Sequence, residues 1–370
     1  MTVTPEATTE AATMEVRLRI WRYDSRTGDR KLEEFEVEAP EWACLLDVLD
    51  IIKDRQDGTL AFRKSCRMMI CGSCGMRMDG RAVLACKERM APIVEAGHVP
   101  VISAMGNLPI VKDLVVDMAP FWGKIRAVKP WLDPGYDEIA EKERVASQQQ
   151  MNAIAKESLC IMCGCCVSEC NSMEADPAFL GPAALAKGFR FVGDPRDRMK
   201  VERLEDYNDE HGIWDCTRCY FCNERCPKGV DPRDAIAKLG AESIEQGIDH
   251  DMGAKHANWF VRSAMTTGWL RETELVPKTQ GIVSAIKQTG FALGLARKGK
   301  VPPPFPPHVA DKVEEARGLW DLVRTRGVRG AEGIIQMEPA LARIEHGEEH
   351  GARRDSPELT PGEEPPPAEG

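Results

Sequence analysis

Cysteine is the residue that carries chemistry in this chain. Two runs match each other: Cys160-Ile-Met-Cys163-Gly-Cys165-Cys166-Val-Ser-Glu-Cys170 and Cys216-Thr-Arg-Cys219-Tyr-Phe-Cys222-Asn-Glu-Arg-Cys226-Pro227. Each reads C-x2-C-x2-C-x3-C, the ferredoxin spacing for cubane iron–sulfur clusters. Three thiolates two residues apart wrap a short loop around one cluster. The fourth, a turn of helix later, points to the other cluster. Spacing alone therefore assigns one cluster to Cys160, Cys163, Cys166 and Cys226, and a second to Cys170, Cys216, Cys219 and Cys222. Cys165, next to Cys166, points elsewhere and is read as a non-ligand. Zinc also uses C-x2-C knuckles, but in two separated pairs; eight cysteines in matched runs exceed that need.

A third constellation lies upstream. Cys66, Cys71 and Cys74 stand as C-x4-C-x2-C with Cys86 farther on, the plant-type spacing for a 2Fe–2S cluster. Gly72 and Gly75 let the backbone pass where a side chain would collide, and their amides can donate to sulfur. No nucleophile or acid–base pair accompanies these thiols, so no catalytic residue is assigned. Cys44 lies on the apolar side of a helical stretch with Leu45, Val48, Leu49 and Ile52, and is expected to be a buried core thiol.

The elements that must position these cysteines follow from pattern. Met14 to Trp21 alternates as a half-buried strand, Asp24 to Asp29 turns, and Phe35 to Val37 returns to form a hairpin. The loop residues Pro130 to Gly135 mark a boundary. Helical spacing over Glu138 to Leu159 delivers Cys160; further helices are expected at Gly181 to Arg190 and Asp231 to Gln246. Beyond residue 252 come helical stretches at 256–261, 279–297 and 309–325, a stiff polyproline spacer at Pro302 to Pro307, and an acidic Gly- and Pro-rich end. The expected division is 1–13 disordered, 14–130 and 131–252 as cluster-bearing domains, 253–344 as a helical extension, and 345–370 as a disordered tail.

The bulk numbers narrow the class. At 370 residues and 43% hydrophobic content the chain should build two or three cored domains. A net charge of −10 argues against a nucleic-acid partner. Fourteen cysteines without a secretory apolar region indicate a reducing compartment. No run approaches the roughly 18 apolar residues of a spanning helix, so membrane contact is expected to be peripheral.

A plant-type motif followed by two ferredoxin-like runs resembles the iron–sulfur subunit of succinate dehydrogenase and fumarate reductase, over roughly Met14 to Gly247. Supporting words are Ser65-Cys66-Arg67, Leu84-Ala85-Cys86, Phe179-Leu-Gly181-Pro182, Asp194-Pro-Arg196-Asp197 and Cys226-Pro227-Lys228-Gly229. The resemblance implies an α+β fold: a plant-type ferredoxin (β-grasp) domain, then an all-α ferredoxin-like domain with two clusters, then the extension. It implies an electron relay, inactive alone, from an FAD-containing flavoprotein subunit to a quinone. The quinone would sit at a membrane anchor, with haem b an optional cofactor there, on the cytoplasmic face of a bacterial membrane.

Two departures from the family pattern matter. Many members lack the middle cysteine of the second run and hold a 3Fe–4S cluster, here on Cys170, Cys216 and Cys222. With Cys219 present, a 3Fe–4S and a second 4Fe–4S cluster both stay open. In ubiquinone-using relatives a proline, a serine and a tryptophan follow the cysteine matching Cys170; here only Ser172 matches, which points to menaquinone. Ser172 and Trp214 are the quinone-proximal candidates. Succinate oxidation is the expected direction, with fumarate reduction as the alternative. A heterodisulfide-reductase-like relay, which His256 to Phe260 and Gly268 resemble, is another, and a zinc scaffold predicts a colourless protein.

Overall fold

A computed structural model describes residues 12–135, 143–300, 309–326, 328–330 and 333–335. Of the disorder expected over 1–13, residues 1–11 lie outside these residues, as do the polyproline spacer and the tail from 345, whereas Thr13 opens a strand instead, paired with Pro40. In chain order the strands are β1 (Thr13–Tyr23), β2 (Arg30–Pro40), β3 (Gly75–Met78), β4 (Arg81–Leu84), β5 (Val101–Ser103), β6 (Ile110–Lys112), β7 (Val115–Val116), β8 (Val328–Gly330) and β9 (Gly333–Ile335). The helices of the first half are α1 (Leu45–Arg55), α2 (Ala91–Glu95), α3 (Ala119–Ala127), α4 (Gln148–Ala153), α5 (Ala155–Ser158), α6 (Cys165–Ser168), α7 (Asn171–Ala175) and α8 (Gly181–Val192). Those of the second are α9 (Lys200–Tyr207), α10 (Phe221–Glu224), α11 (Pro232–Glu245), α12 (Met252–Thr267), α13 (Glu272–Thr279), α14 (Ile282–Lys287), α15 (Thr289–Arg297) and α16 (Val313–Arg326).

The N-terminal half is a five-stranded sheet in the order β2-β1-β5-β3-β4, with β1 parallel to β5 and the other pairs antiparallel. The expected hairpin is β1–β2, with Val16 opposite Val37. Period-two alternation sends Val16, Leu18 and Ile20 inward, where Leu45, Leu49 and Ile52 of α1 cover them. Arg22 continues the inward series as a charge. It is satisfied by Asp113 at 3.0 Å and Glu33 at 2.7 Å and by a short contact with Asp57.

The second half is helical, and α8 is its centre. Nine of its residues, from Gly181 to Val192, are buried, against α11, α9, α3 and α5. The α+β fold expected from the sequence is the fold observed. The helix expected over Glu138 to Leu159 is different: 136–142 lie outside the described residues, and the rest forms α4 and α5. Ile154, at φ −117° and with its side chain fully buried, interrupts the helix between them. The capping box of Ser147 and Gln150 starts α4.

The chain divides into two units, Met1–Ala257 with Pro277–Ser284, and Asn258–Val276 with Ala285–Gly370. All three cysteine motifs belong to the first. In the second, Arg317 of α16 donates to the carbonyls of Met265 (2.7 Å) and Thr266 (3.0 Å), closing the end of α12. Among the described residues no helix is long and apolar enough to cross a membrane.

Candidate iron–sulfur sites

The upstream loop curls around Cys66. The backbone N–H groups of Met68, Ile70 and Cys71 all donate to its Sγ, at 3.4, 3.4 and 3.3 Å. This convergence takes left-handed backbone at Arg67 (φ 56°) and Met69 (φ 59°). Three N–H donors thus converge on one sulfur, the kind of hydrogen bonding that tunes a cluster ligand. The Ser73 hydroxyl, 3.1 Å from Cys71 Sγ, brings that thiol down to about 6. Burial pushes Cys74 up to about 12, with Cys86 beside it. The pairing of β3 with β4 brings those two together, since Gly75 opposes Leu84 and Ala85 N–H donates to the Cys74 carbonyl. All four upstream thiols thus surround one loop.

The two downstream runs fold alike. In the first, Met162 (φ 54°) and Gly164 (φ 81°) are left-handed, and α6 begins at once. In the second, Arg218 (φ 57°) and Tyr220 (φ 68°) repeat the pattern, and α10 begins. Positive φ is rare outside glycine, so its recurrence at matching positions of both loops marks one shared turn. The first loop walls a cavity with Cys160, Cys163 and Cys166, and Cys226 of the second run completes it together with Ala183 and Val230. Val230 N–H donates to Cys226 Sγ at 3.4 Å. Cys170 in turn lies in electrostatic reach of Cys216 and Cys219, and Cys222 of Cys216, Cys170 and Cys219. Each run lends its last cysteine to the other. Lined by four sulfurs and closed by Ala183 and Val230, the first of these sites has the donor set and apolar walls that suit a cubane cluster.

Cys165 does not line that cavity. It is fully buried and hydrogen-bonded to Cys163, which lowers the Cys163 thiol to about 7 and holds Cys165 itself well above its usual range. Cys44 is corrected in part. It is half-buried, not buried, and starts α1 with its thiol 2.9 Å from Asp47 Oδ2. Ser172 accepts the Thr217 N–H at 3.2 Å, pinning the Cys170 turn to the Cys216 loop. Trp214 is half-buried, donates from Nε1 to Asn208 Oδ1 at 2.7 Å, and stacks over Gly240.

Sequence reasoning missed the residues that hold the sites against each other. A Cβ on Gly72 would lie 2.9 Å from Cys163 Cα and 3.0 Å from the Ile161 carbonyl, so the upstream loop touches the first cubane loop backbone to backbone. Beside it Arg77 of β3 donates from Nε to Ser168 Oγ (3.1 Å) and Glu169 Oε1 (2.9 Å). Asn107 donates to the carbonyls of Val167 (2.8 Å) and Cys170 (2.9 Å). Asp197 and Arg203 pair at 2.9 Å, both side chains fully buried, and Arg203 also donates to the carbonyls of Val128, Lys129 and Trp131. Only Gly72, read as a place where backbone passes closely, and the Asp194 to Asp197 word hinted at any of this, and neither gave a partner.

Comparison with known proteins agrees with this geometry. Residues 17–123 match the family described as 2Fe-2S iron-sulfur cluster binding domain, and 157–230 the 4Fe-4S dicluster domain. The 8-methylmenaquinol:fumarate reductase iron-sulfur subunit of Wolinella succinogenes is 33% identical over 287 residues, 76% of this chain and 89% of the relative. This chain belongs to the iron–sulfur subunits of fumarate reductase and succinate dehydrogenase. The fumarate reductase iron-sulfur subunit of Haemophilus influenzae is 37% identical, covering 63% of this chain and 94% of its own. The mitochondrial succinate dehydrogenase [ubiquinone] iron-sulfur subunit 1 of Oryza sativa is 37% identical, covering 60% and 80%. Among solved structures, the Mycobacterium smegmatis Sdh1 complex in the apo form aligns at TM-score 0.59 and 27% identity, over 64% of this chain and 99% of that one. As a member of this family the chain is an iron–sulfur electron-transfer subunit.

Proposed function

We propose that Cys66, Cys71, Cys74 and Cys86 hold a 2Fe–2S cluster and Cys160, Cys163, Cys166 and Cys226 a 4Fe–4S cluster. Cys170, Cys216, Cys219 and Cys222 hold a second 4Fe–4S cluster, in preference to a 3Fe–4S cluster on three of them. One observation carries the last assignment: the second loop repeats the left-handed turn of the first, which puts Cys219 where Cys163 stands. The dicluster family match supports it. Clusters bound at such sites take up and release single electrons. The chain's own part is to supply thiolates, aim N–H groups at sulfur, exclude water with Ala183 and Val230, and press the upstream loop on the first cubane loop through Gly72.

On this reading the chain relays electrons from an FAD-containing flavoprotein subunit, where succinate is oxidised, to menaquinone at a membrane anchor. It docks peripherally on the cytoplasmic face of that membrane and is inactive alone, and the boundary near residue 130 separates its two cluster-bearing parts. Menaquinone is supported by the run after Cys170, which keeps only Ser172 of the ubiquinone-type residues, and by the menaquinol in a relative's name. The rim of the third site, with exposed Cys219, Tyr220 and Phe221, is the quinone-facing end. Ser172 and Trp214 frame that end rather than contact the quinone, because both polar atoms are engaged within the chain. Fumarate reduction is a second reading, favoured by the names of several relatives.

Low-temperature EPR of the purified complex tests the assignment. Silence when oxidised and three reduced signals are expected. A paramagnetic oxidised sample would show a three-iron centre and remove Cys219 from the ligands. Absence of any iron signal would overturn the relay itself.

A further inference from the structure

From Leu275 to Ala310 the sequence has five basic side chains, Lys278, Lys287, Arg297, Lys298 and Lys300, and no acidic one, in a chain of net charge −10. The second half of that stretch, Ala285 to Lys300, carries α15 and the last turn of α14, with one residue, Gln288, between them. It buries almost nothing. Ile286, Phe291 and Leu293 are 68%, 70% and 53% exposed, and no residue of α15 is buried. Lys287, Arg297, Lys298 and Lys300 are exposed, and none of the four forms an ion pair among the described residues. Water alone is an unfavourable neighbour for these three large apolar side chains, Ile286 at the end of α14 and Phe291 and Leu293 on α15.

The chemistry of the segment selects the occupant. Exposed large apolar side chains flanked in sequence by Lys and Arg, in a helical segment that buries almost none of them, suit an element that lies in a bilayer interface. At nine residues α15 is far short of the roughly 20 a span needs, so it lies on the surface and does not cross. Lipid phosphates supply negative charge anywhere along the surface, so scattered cations find partners without a matching acidic groove. Gly290, Ala292, Gly294 and Ala296 add little bulk, and Phe291 and Leu293, two residues apart, leave the helix on opposite flanks, so insertion is shallow and the two side chains reach down from either edge.

We propose that Ala285 to Lys300 binds directly to an anionic lipid surface. Ile286, Phe291 and Leu293 enter the boundary between headgroups and acyl chains, and Lys287, Arg297, Lys298 and Lys300 meet the phosphates. This adds a contact of the chain's own to whatever a membrane partner provides, and it stands whether or not the relay reading holds.

The test is flotation of the full-length, cluster-loaded protein with vesicles of phosphatidylcholine alone or mixed with phosphatidylglycerol. Co-flotation with the anionic vesicles is expected, weakening as ionic strength rises. The K287Q/R297Q/K298Q/K300Q variant should lose about tenfold or more in partition at low salt. I286S/F291S/L293S should lose a comparable amount, while both variants keep the visible absorption of the loaded protein. Wild-type protein that stays soluble, or that floats equally with both vesicle types, would overturn the proposal. So would binding only to vesicles that contain the membrane partner, which would make the surface a protein interface. Release by inorganic phosphate beyond that by chloride at the same ionic strength would mark a free-phosphate site and overturn it too.

Discussion

At the scale of single residues, the positions that matter most are those with no freedom to change. Gly72 is left-handed (φ 69°) and in backbone contact with the Cys163 turn. Alanine there should cost about 2 kcal/mol through strain and the forced contact. It should also part the two loops, seen as weaker spin–spin relaxation of the reduced 2Fe–2S signal; unchanged relaxation with lowered stability would leave Gly72 a purely structural role. Asp194 tests charge. The Arg196 guanidinium, with Arg190, holds its carboxyl well below the usual range. A depressed carboxyl contributes stability above the unfolded value near 4 and loses it as pH falls through the folded value. The melting temperature of Asp194→Asn should therefore trail the wild type at pH 7 and converge with it below about pH 4. The cysteines were legible because ligand spacing is local. Gly72 was legible only as a permissive residue, because what it touches lies some ninety residues away.

At the scale of elements, the cluster loops depend on ties that are neither helix nor strand. Arg203 holds the segment after α3 to α9 through three carbonyls and the buried Asp197. Arg203→Met leaves Asp197 charged and buried, and should destabilise by about 3–5 kcal/mol in chemical denaturation. Arg77 ties β3 to Ser168 and Glu169. In Arg77→Met, the amides of Ser168 to Cys170 should exchange with deuterium faster than in the wild type, while those of β1 and β2 keep their protection. The hairpin, α8 and α11 could be read from periodicity, since one face of each is apolar. The break at Ile154 could not, because helical spacing continues through it and neither proline nor glycine marks it.

At the scale of the whole molecule, all twelve candidate ligands and both apolar cores precede Ala257. Removal of residues 285–370 should leave iron per chain and visible absorption unchanged; a loss of iron would give that region a part in building the cluster sites. The order of domains was legible in the motif order, whereas the exposed apolar side chains of α15 could be known only once burial was seen. The exchange of Cys170 and Cys226 between the two runs has a consequence for maturation. Neither downstream site is complete until both loops are folded, and Cys166 lies in α6 while Cys170, just past its end, caps α7. Loading should then be all-or-none. Titrating iron and sulfide into metal-free protein should give empty and doubly filled molecules with few singly filled ones, as a pair of hands can be clasped but not half-clasped.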